Sequence, residues 1–233
     1  MSGIKKIGEL RRENDLLYNE SYYQNYNGDD YGRNDKWFSF FGNIANNIIE
    51  KIQPRTVLDI GCAYGLLVES LIDRGCEAYG IDVSDYALSR ARSDIVPLLS
   101  VDTILRPMER KYDLIVTIEV IEHIKEEDCT FAVRNMCEAA NNILLATTPD
   151  DFDDPTHFNV QPPIYWIKKF AEFGFVADIN HDASIDILDL LLFSNFLFCF
   201  ILSKFNFYYN NLIMHRLAHF LKFSFHLNIF RCL

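Results

Sequence analysis

The sequence predicts an α/β domain built on a doubly wound, mostly parallel sheet. Short apolar segments alternate along the chain with stretches of helical periodicity, and several of these segments end in an acidic residue. Strands that alternate with helices favour a parallel sheet, because each crossover helix returns the chain to the same edge. With 233 residues, the chain has room for one such domain and an extension.

The segment 1–50 is predicted to form an N-terminal arm and a lid helix. Its first part is polar and rich in Tyr and Asn. This composition fits either a loosely ordered arm or a lid over an active site, and the aromatic residues favour the lid. Trp37, Phe41 and Ile44 then recur at helical spacing, which predicts a helix with one apolar face over 37–51.

The segment 51–185 is predicted to be the core domain, with six strands and the helices between them. The strands are expected at 57–59, 77–81, 96–101, 112–118, 142–147 and 175–179. The helices are expected at 66–74, 85–92, 126–140 and 163–172. Ligands of such sheets bind at the carboxyl ends of the strands, so the site is expected there.

The composition opposes a general nucleic-acid binder and favours a cytoplasmic protein. A net charge of −11 leaves no excess of Lys and Arg to neutralise phosphates. The six cysteines form no CxxC pair and lie in apolar settings, as is typical of reduced, structural cysteines. The N-terminus lacks the apolar segment of a signal peptide, which also predicts a cytoplasmic location.

The most informative stretch is 57–65, where a predicted strand reaches Asp59 and then breaks into a turn of small residues. Gly61 and Gly65 allow the positive φ angles and close backbone approach of a cofactor cradle, and the next helix offers free N–H groups. Asp59 would repel a pyrophosphate and attract an ammonium group. The stretch therefore favours an ammonium-bearing cofactor over a dinucleotide.

Asp82, Asp102 and Glu119 also lie at predicted strand ends, so we expect them on one rim with Asp59. Asp82 comes 21 residues after Gly61. At this spacing a strand-end carboxylate can hold the two hydroxyls of a ribose. The rim therefore predicts a cofactor with positive or hydroxyl-rich groups.

These motifs resemble those of the class I S-adenosylmethionine-dependent methyltransferases over about residues 20–185. The acid-x-Gly-x-Gly-x-Gly motif of that family appears as Asp59-Ile-Gly61-Cys-Ala63-Tyr-Gly65, with Ala in place of the middle Gly. The resemblance implies a Rossmann-like methyltransferase fold and S-adenosyl-L-methionine as the cofactor. In the family, the cradle holds the methionyl part, the acid after strand two holds the ribose, and the acid after strand three lies near the adenine. The residues so implied in cofactor binding are Asp59, Gly61, Ala63, Gly65, Asp82, Val83 and Asp102.

Glu119, Glu122 and His123 form a second cluster after the fourth predicted strand. If the segment is one helical turn, their spacing places all three on one face. The cluster is either an acidic surface turn with a capping His or a site for a metal or for proton transfer. Glu-x-x-Glu-His resembles the ubiquinone-pathway O-methyltransferases and the small-RNA 2′-O-methyltransferases, where this motif and a later His are associated with a divalent metal.

His157 is the natural fourth ligand of a metal site with Glu119, Glu122 and His123. Two carboxylates and two imidazoles would suit Mg, Mn, Zn or Fe. A metal could lower the pKa of an acceptor hydroxyl, or a His could take its proton. The candidate catalytic residues are His123, His157 and Glu119.

The segment 186–233 is predicted to be an apolar, Phe-rich C-terminal extension. Ten of the 19 Phe residues follow Leu190, and no Asp or Glu does. Three interpretations stay open: a last strand and helices that pack on the sheet, an interfacial membrane anchor through 187–233, or a divergent or frameshifted end.

The predicted function is S-adenosylmethionine-dependent O-methylation of a hydroxyl on a small molecule, a glycan or a lipid-linked sugar. One alternative is a catalytically silent scaffold subunit that only binds the cofactor. Another is an RNA 2′-O-methyltransferase, which the acidic charge and the absence of a basic arm oppose.

Overall fold

The computed structural model describes residues 17–24, 31–178 and 198–204. The strands are β1 (Thr56–Ile60), β2 (Glu77–Asp82), β3 (Leu99–Val101), β4 (Tyr112–Ile118), β5 (Ala140–Thr147), β6 (Phe175–Asp178) and β7 (Phe198–Lys204). The α-helices are α1 (Glu20–Gln24), α2 (Asp35–Asn47), α3 (Leu66–Ile72), α4 (Asp85–Ser89), α5 (Glu126–Ala139) and α6 (Pro163–Ala171). A π-helical turn, Ile48–Ile52, continues α2, and 3-10 turns cover Val96–Leu98 and Ile121–His123.

The described strands form one sheet in the order β3-β2-β1-β4-β5-β7-β6. The pairs among β1 to β5 are all parallel, and β7 is antiparallel to both β5 and β6. The prediction of a doubly wound, mostly parallel α/β sheet is confirmed. The strand order reverses between β1 and β4, which is where sheets of this type leave a crevice for a ligand.

Strand β4 shows why the sheet is covered on both faces. Leu114 and Val116 point into the layer that includes residues of α2 and α3, whereas Ile115 points into the layer that includes α5 and α6. Side chains alternate along a strand, so a continuous apolar run serves two cores at once. Trp166 and Phe170 of α6 are fully buried in the second layer.

The described part of the N-terminal arm packs on the turn after β1. Tyr23 and Tyr31 are buried together with Tyr64 of that turn and with Ala87 of α4. This aromatic cluster joins residues that lie far apart in the sequence. It places the segment 17–24 over the carboxyl ends of β1 and β2 and beside the predicted cofactor cradle.

The structure differs from the sequence prediction at several element ends. The third strand is only Leu99–Val101, because Pro97 lies in the 3-10 turn that precedes it. The helix after the cradle ends at Ile72. Part of the predicted C-terminal extension forms β7, which lies between β5 and β6 in the sheet. Residues 186–197 and 205–233 of the extension lie outside the described residues.

Residues 1–16 and 25–30 of the predicted arm also lie outside the described residues. Within the parts of the chain that the structure describes, no helix combines the length and apolar character needed to cross a membrane.

Candidate active site

The turn after β1 has the backbone of a close-fitting cradle. Gly61, Ala63 and Gly65 have φ angles of +76°, +47° and +70°, which favour glycine. A Cβ atom at Gly61 would come within 2.3 Å of the Val120 side chain. Glycine is therefore required at this position both by the backbone angle and by the close approach of the segment after β4.

Asp82 ties the end of β2 to this turn. Its Oδ2 accepts a hydrogen bond from the backbone N–H of Ala63 at 2.8 Å, and its Oδ1 accepts one from Ser84 at 2.8 Å. Burial raises the pKa of Asp82 to about 6, against the opposing effect of the backbone N–H groups of Ser84, Ala63 and Val83. The predicted ribose acid and its neighbour Val83 thus lie beside the predicted methionyl cradle.

Asp59 is buried at the end of β1, with 5% of its surface exposed. Burial, and then the charge of Asp82, raise the pKa of Asp59 to about 8. Two carboxyl groups in one buried region repel each other when both are ionised. A cationic ligand would relieve that repulsion, which agrees with the expectation of an ammonium-bearing cofactor.

Asp102 lies next to Asp82 in the sheet, since its backbone N–H donates to the Asp82 carbonyl oxygen at 3.0 Å. Its Oδ1 accepts hydrogen bonds from the Thr103 backbone at 2.8 Å and from the Arg106 guanidinium at 3.0 Å. The carboxylate is thus on the predicted rim and is held there by its own loop.

Glu119 and Glu122 follow β4, but they do not share a regular helical turn. Glu119 has a φ angle of +55° and the helical residues begin only at Ile121, so the condition under which all three side chains would share one helical face is not met. Glu122 is fully buried, and its Oε1 accepts a hydrogen bond from the Thr148 backbone at 3.3 Å. Among the described residues, Oε1 of Glu119 and Oε2 of Glu122 are buried without a hydrogen-bond partner.

The environment of Glu119 favours its protonated form. Burial, and then the charge of Glu122, raise the pKa of Glu119 to about 10. A divalent cation between the two carboxyl groups would reverse this preference, because it stabilises the ionised forms.

Both predicted histidines present the same ring nitrogen to a backbone carbonyl. His123 Nδ1 lies 3.0 Å from the Thr156 oxygen, and His157 Nδ1 lies 2.9 Å from the Asp151 oxygen. Because a carbonyl only accepts, these contacts assign the proton to Nδ1 and leave the Nε2 lone pair for a ligand or a proton. Burial lowers the pKa of His123, so its ring is neutral at pH 7.

Three of the four predicted metal ligands converge. One donor atom each from Glu119, Glu122 and His157 lies within 4.8 Å of the others. His123 is not part of this group, although its ring lies 4.7 Å from the His157 ring, centroid to centroid. Two carboxylates and one imidazole, with buried oxygens that lack partners, fit a divalent cation.

The arm reaches the same cluster. The Tyr18 ring lies edge-on to His123 with centroids 5.8 Å apart, and Tyr22 packs on Tyr18 at 5.1 Å. Burial, and then nearby charges that include those of Asp154 and Glu122, raise the pKa of both tyrosine hydroxyls. We call Glu119, Glu122, His123 and His157 the Glu–His cluster. The described arm therefore covers the region between the cradle and the Glu–His cluster.

Sequence reasoning missed the residues that hold the cluster in place. Ser84 caps α4, since its Oγ accepts a hydrogen bond from the Ala87 backbone N–H at 3.0 Å. It also donates to the Tyr18 carbonyl oxygen at 2.6 Å. Asp151 and Asp154 flank His157 at 3.6 and 3.9 Å. The acidic run 150–154 was the only signal for them in the sequence.

The comparisons with known proteins agree with this geometry. The family model described as "Methyltransferase domain" matches residues 30–181. The ubiquinone biosynthesis O-methyltransferase of Nitrosomonas europaea is 32% identical over 92 residues, which are 36% of this chain and 39% of that protein. The matched part therefore spans about two fifths of that relative.

Solved methyltransferase structures share the fold at low sequence identity. The magnesium protoporphyrin IX methyltransferase of Synechocystis PCC 6803, solved with bound S-adenosylmethionine, superposes with a TM-score of 0.61 and 13% identity over 88% of this chain and 100% of that chain. The methyltransferase domain of bacterial CtHen1-C gives a TM-score of 0.54 and 17% identity over 72% and 100% of the two chains. Together with the family match and the cradle after β1, they show that this chain belongs to the methyltransferase domain family and has the Rossmann-like fold of the S-adenosylmethionine-dependent methyltransferases.

Proposed function

We propose that the chain transfers the methyl group of S-adenosylmethionine to a hydroxyl oxygen of a small molecule, a glycan or a lipid-linked sugar. The observation that carries this proposal is the contact between the two halves of the site. Gly61 in the cradle meets Val120, which lies between Glu119 and Glu122 in the sequence. A cofactor seated in the cradle would therefore lie beside the Glu–His cluster.

The cradle residues have the roles that the cofactor's charges require. Asp59 would face the ammonium group, Asp82 would hold the ribose hydroxyls, and the backbone from Gly61 to Gly65 would pass close to the methionyl part. Val83 and Asp102 would border the nucleoside. The sulfonium is already activated, so the protein mainly aligns the acceptor for in-line attack.

The acceptor hydroxyl must lose a proton as it is methylated. His123, whose pKa is lowered by burial, can take it at Nε2, and His157 is the second candidate base. Glu119, Glu122 and His157 would hold a divalent cation, which would lower the pKa of the acceptor hydroxyl when bound. His123 would then act beside the metal site and not as one of its ligands.

Two alternatives carry less support. A catalytically silent scaffold would bury the cluster in ion pairs, yet neither Glu119 nor Glu122 forms an ion pair among the residues described. An RNA 2′-O-methyltransferase is suggested by the Glu-x-x-Glu-His motif and by the structural likeness to CtHen1-C. The net charge of −11 opposes it, because RNA phosphates need cationic partners.

Calorimetry tests the cofactor assignment without any knowledge of the acceptor. S-Adenosylhomocysteine and S-adenosylmethionine should bind the wild-type protein, and Asp82→Ala should abolish binding because the hydroxyl-binding carboxylate is lost. Asp94→Ala, which removes a carboxylate that is 60% exposed and pairs with Arg92, is the matched control. Unchanged affinity in Asp82→Ala would sink the cradle assignment.

A separate experiment tests the metal. Protein treated with EDTA should bind Mn²⁺ in a spectroscopic titration, and Glu122→Gln should weaken that binding because one charged ligand is lost. Methyl transfer to compounds extracted from a deletion strain, followed by mass spectrometry, then identifies the acceptor. If the metal-free protein transferred the methyl group at the full rate, the proposed role of the metal would be wrong and a histidine would be the base.

A further inference from the structure

Tyr18 lies between the cofactor cradle and the Glu–His cluster and contacts residues of both. Its carbonyl oxygen accepts the hydrogen bond from Ser84 Oγ at 2.6 Å. Its ring contacts His123 edge-on with centroids 5.8 Å apart, and its hydroxyl lies near the Thr156 side chain. One residue of the arm therefore touches both sides of the site.

Thr156 connects Tyr18 to the protonation of the His123 ring. The Thr156 carbonyl oxygen is the group that His123 Nδ1 approaches at 3.0 Å, so Thr156 determines which ring nitrogen carries the proton. Thr156 is itself held by Asp154, whose Oδ1 accepts from its backbone N–H at 2.7 Å and from its hydroxyl at 2.6 Å. Tyr18 thus packs against the imidazole and against the residue that sets its tautomer.

Ser84 connects this arrangement to the cofactor site. Its backbone N–H donates to Asp82 Oδ1 at 2.8 Å, while its side chain donates to Tyr18. Ser84 is fully buried, so its hydroxyl has no competing water. A continuous series of contacts therefore runs from Asp82 through Ser84 and Tyr18 to His123.

A second set of contacts, made by Tyr22 and Tyr23, also attaches the arm to the domain. Tyr22 and Tyr23 pack edge to face at 5.2 Å, and Tyr23 is buried against Tyr64 of the cradle turn at 5.2 Å. Tyr18 precedes the short helix α1, and Tyr23 lies within it. The arm is thus attached on both sides of Tyr22, and its position follows that of the cradle.

We propose that Tyr18 is a positioning residue for His123, and that Ser84 links its placement to the cofactor site. This role rests on the proposed function only in assigning His123 to proton transfer. With the arm attached, Tyr18 packs on the imidazole whose Nδ1 faces the Thr156 carbonyl oxygen. A cofactor that binds Asp82 would stabilise the Ser84 loop and thereby the docked position of the arm on His123.

Chemical modification of His123 in the full-length protein tests this role without the acceptor. Diethyl pyrocarbonate acylates an accessible, unprotonated imidazole nitrogen, and peptide mass spectrometry gives the rate at each histidine. The rate is measured with and without saturating S-adenosylhomocysteine. The variants are Tyr18→Ala, Tyr18→Phe and Ser84→Ala, with Asn34→Ala as the control for loss of a helix cap, because Asn34 caps α2 as Ser84 caps α4.

The wild-type protein should show slow modification of His123, slowed further by S-adenosylhomocysteine. Tyr18→Ala should raise the rate several-fold in both conditions, and Tyr18→Phe should restore most of the protection because it keeps the ring. Ser84→Ala should bind S-adenosylhomocysteine by calorimetry yet lose the protection, whereas Asn34→Ala should behave as the wild type.

Equal His123 rates in Tyr18→Ala and the wild type would overturn the positioning role. Full protection in Ser84→Ala would overturn its link to the cofactor site. Failure of the wild type to bind S-adenosylhomocysteine would instead overturn the proposed function, and the comparison of Tyr18→Ala with wild type in the free protein would still decide the role of Tyr18.

Discussion

Asp59 makes the stability of the cofactor-free protein depend on pH. Its pKa rises from an ordinary value of 3.8 to about 8 in the folded protein. Between those values the folded state keeps a proton that the unfolded state releases, so the free energy of unfolding falls as pH rises. Asp82, with a pKa of about 6, adds to the fall over the lower part of this range.

Asp59→Asn should therefore be more stable than the wild type at about pH 8, and the difference should shrink as the pH falls toward 3.8, where the carboxyl also takes up its proton in the unfolded state. Urea denaturation at several pH values measures it. Asp94→Asn is the control, because the Arg92 guanidinium lowers the pKa of exposed Asp94. A difference that does not change with pH would contradict the assigned pKa of Asp59.

The same residue predicts that protons leave the protein when the cofactor binds. A cationic ammonium beside Asp59 favours the carboxylate, so binding at about pH 7 should release protons. Calorimetric enthalpies in buffers of different ionisation enthalpy measure their number. Asp59→Asn should release fewer protons. If the enthalpy is the same in every buffer for the wild type, the ammonium does not lie beside a protonated Asp59.

At the scale of elements, the turn between β1 and α3 depends on how closely the segment after β4 approaches it. Gly61→Ala would place a Cβ atom 2.3 Å from Val120 and would also strain a φ of +76°. Gly75→Ala would strain a φ of +82° with no atom within 4 Å of the new Cβ. The two variants share the backbone strain and differ in the contact.

Gly75→Ala should lower the free energy of unfolding by roughly 1–2 kcal/mol, the strain of a left-handed residue. Gly61→Ala should lower it further and abolish binding of S-adenosylhomocysteine, while Gly75→Ala should bind normally. Thermal unfolding and calorimetry measure both effects. Equal stabilities would show that Val120 moves aside without penalty.

The strands could be predicted because each is a run of apolar residues that packs on two faces, and Tyr112–Ile118 was predicted to the residue. The carboxyl-end acids Asp59 and Asp82 followed from the same rule. The convergence of His157 with Glu119 depended on a family resemblance, because 37 residues of sequence lie between them. The contact between Tyr18 and His123 left no periodic signal, since a docked arm has no repeating pattern.

At the scale of the whole molecule, β7 lies between β5 and β6 and supplies the backbone pairing of both described strands at that side of the sheet. It pairs with β5 on one side and with β6 on the other. A chain that stops at residue 197 would leave the edges of both strands open, and open edges pair with other chains. A chain that stops at residue 205 keeps every strand described here.

The chain ending at residue 197 should aggregate, whereas the chain ending at residue 205 should keep the sheet and bind S-adenosylhomocysteine. Gel filtration, circular dichroism and calorimetry distinguish the two. A monomeric, cofactor-binding protein that ends at residue 197 would show that β7 is dispensable. Flotation of the full chain with lipid vesicles, compared with the shorter chain, tests the predicted membrane contact of the tail.

The place of β7 also sets an order of events during synthesis. On the ribosome, β1 to β5 emerge first and can pair with their neighbours in the nascent chain. Strand β6 emerges next but has no partner, because its only pairing among the described strands is with β7. The outer edge of β5 therefore stays unpaired while more than 50 further residues are translated. At roughly 5–20 residues per second, this takes several seconds. During that interval the nascent protein exposes the edge on which a chaperone or a second nascent chain would first act.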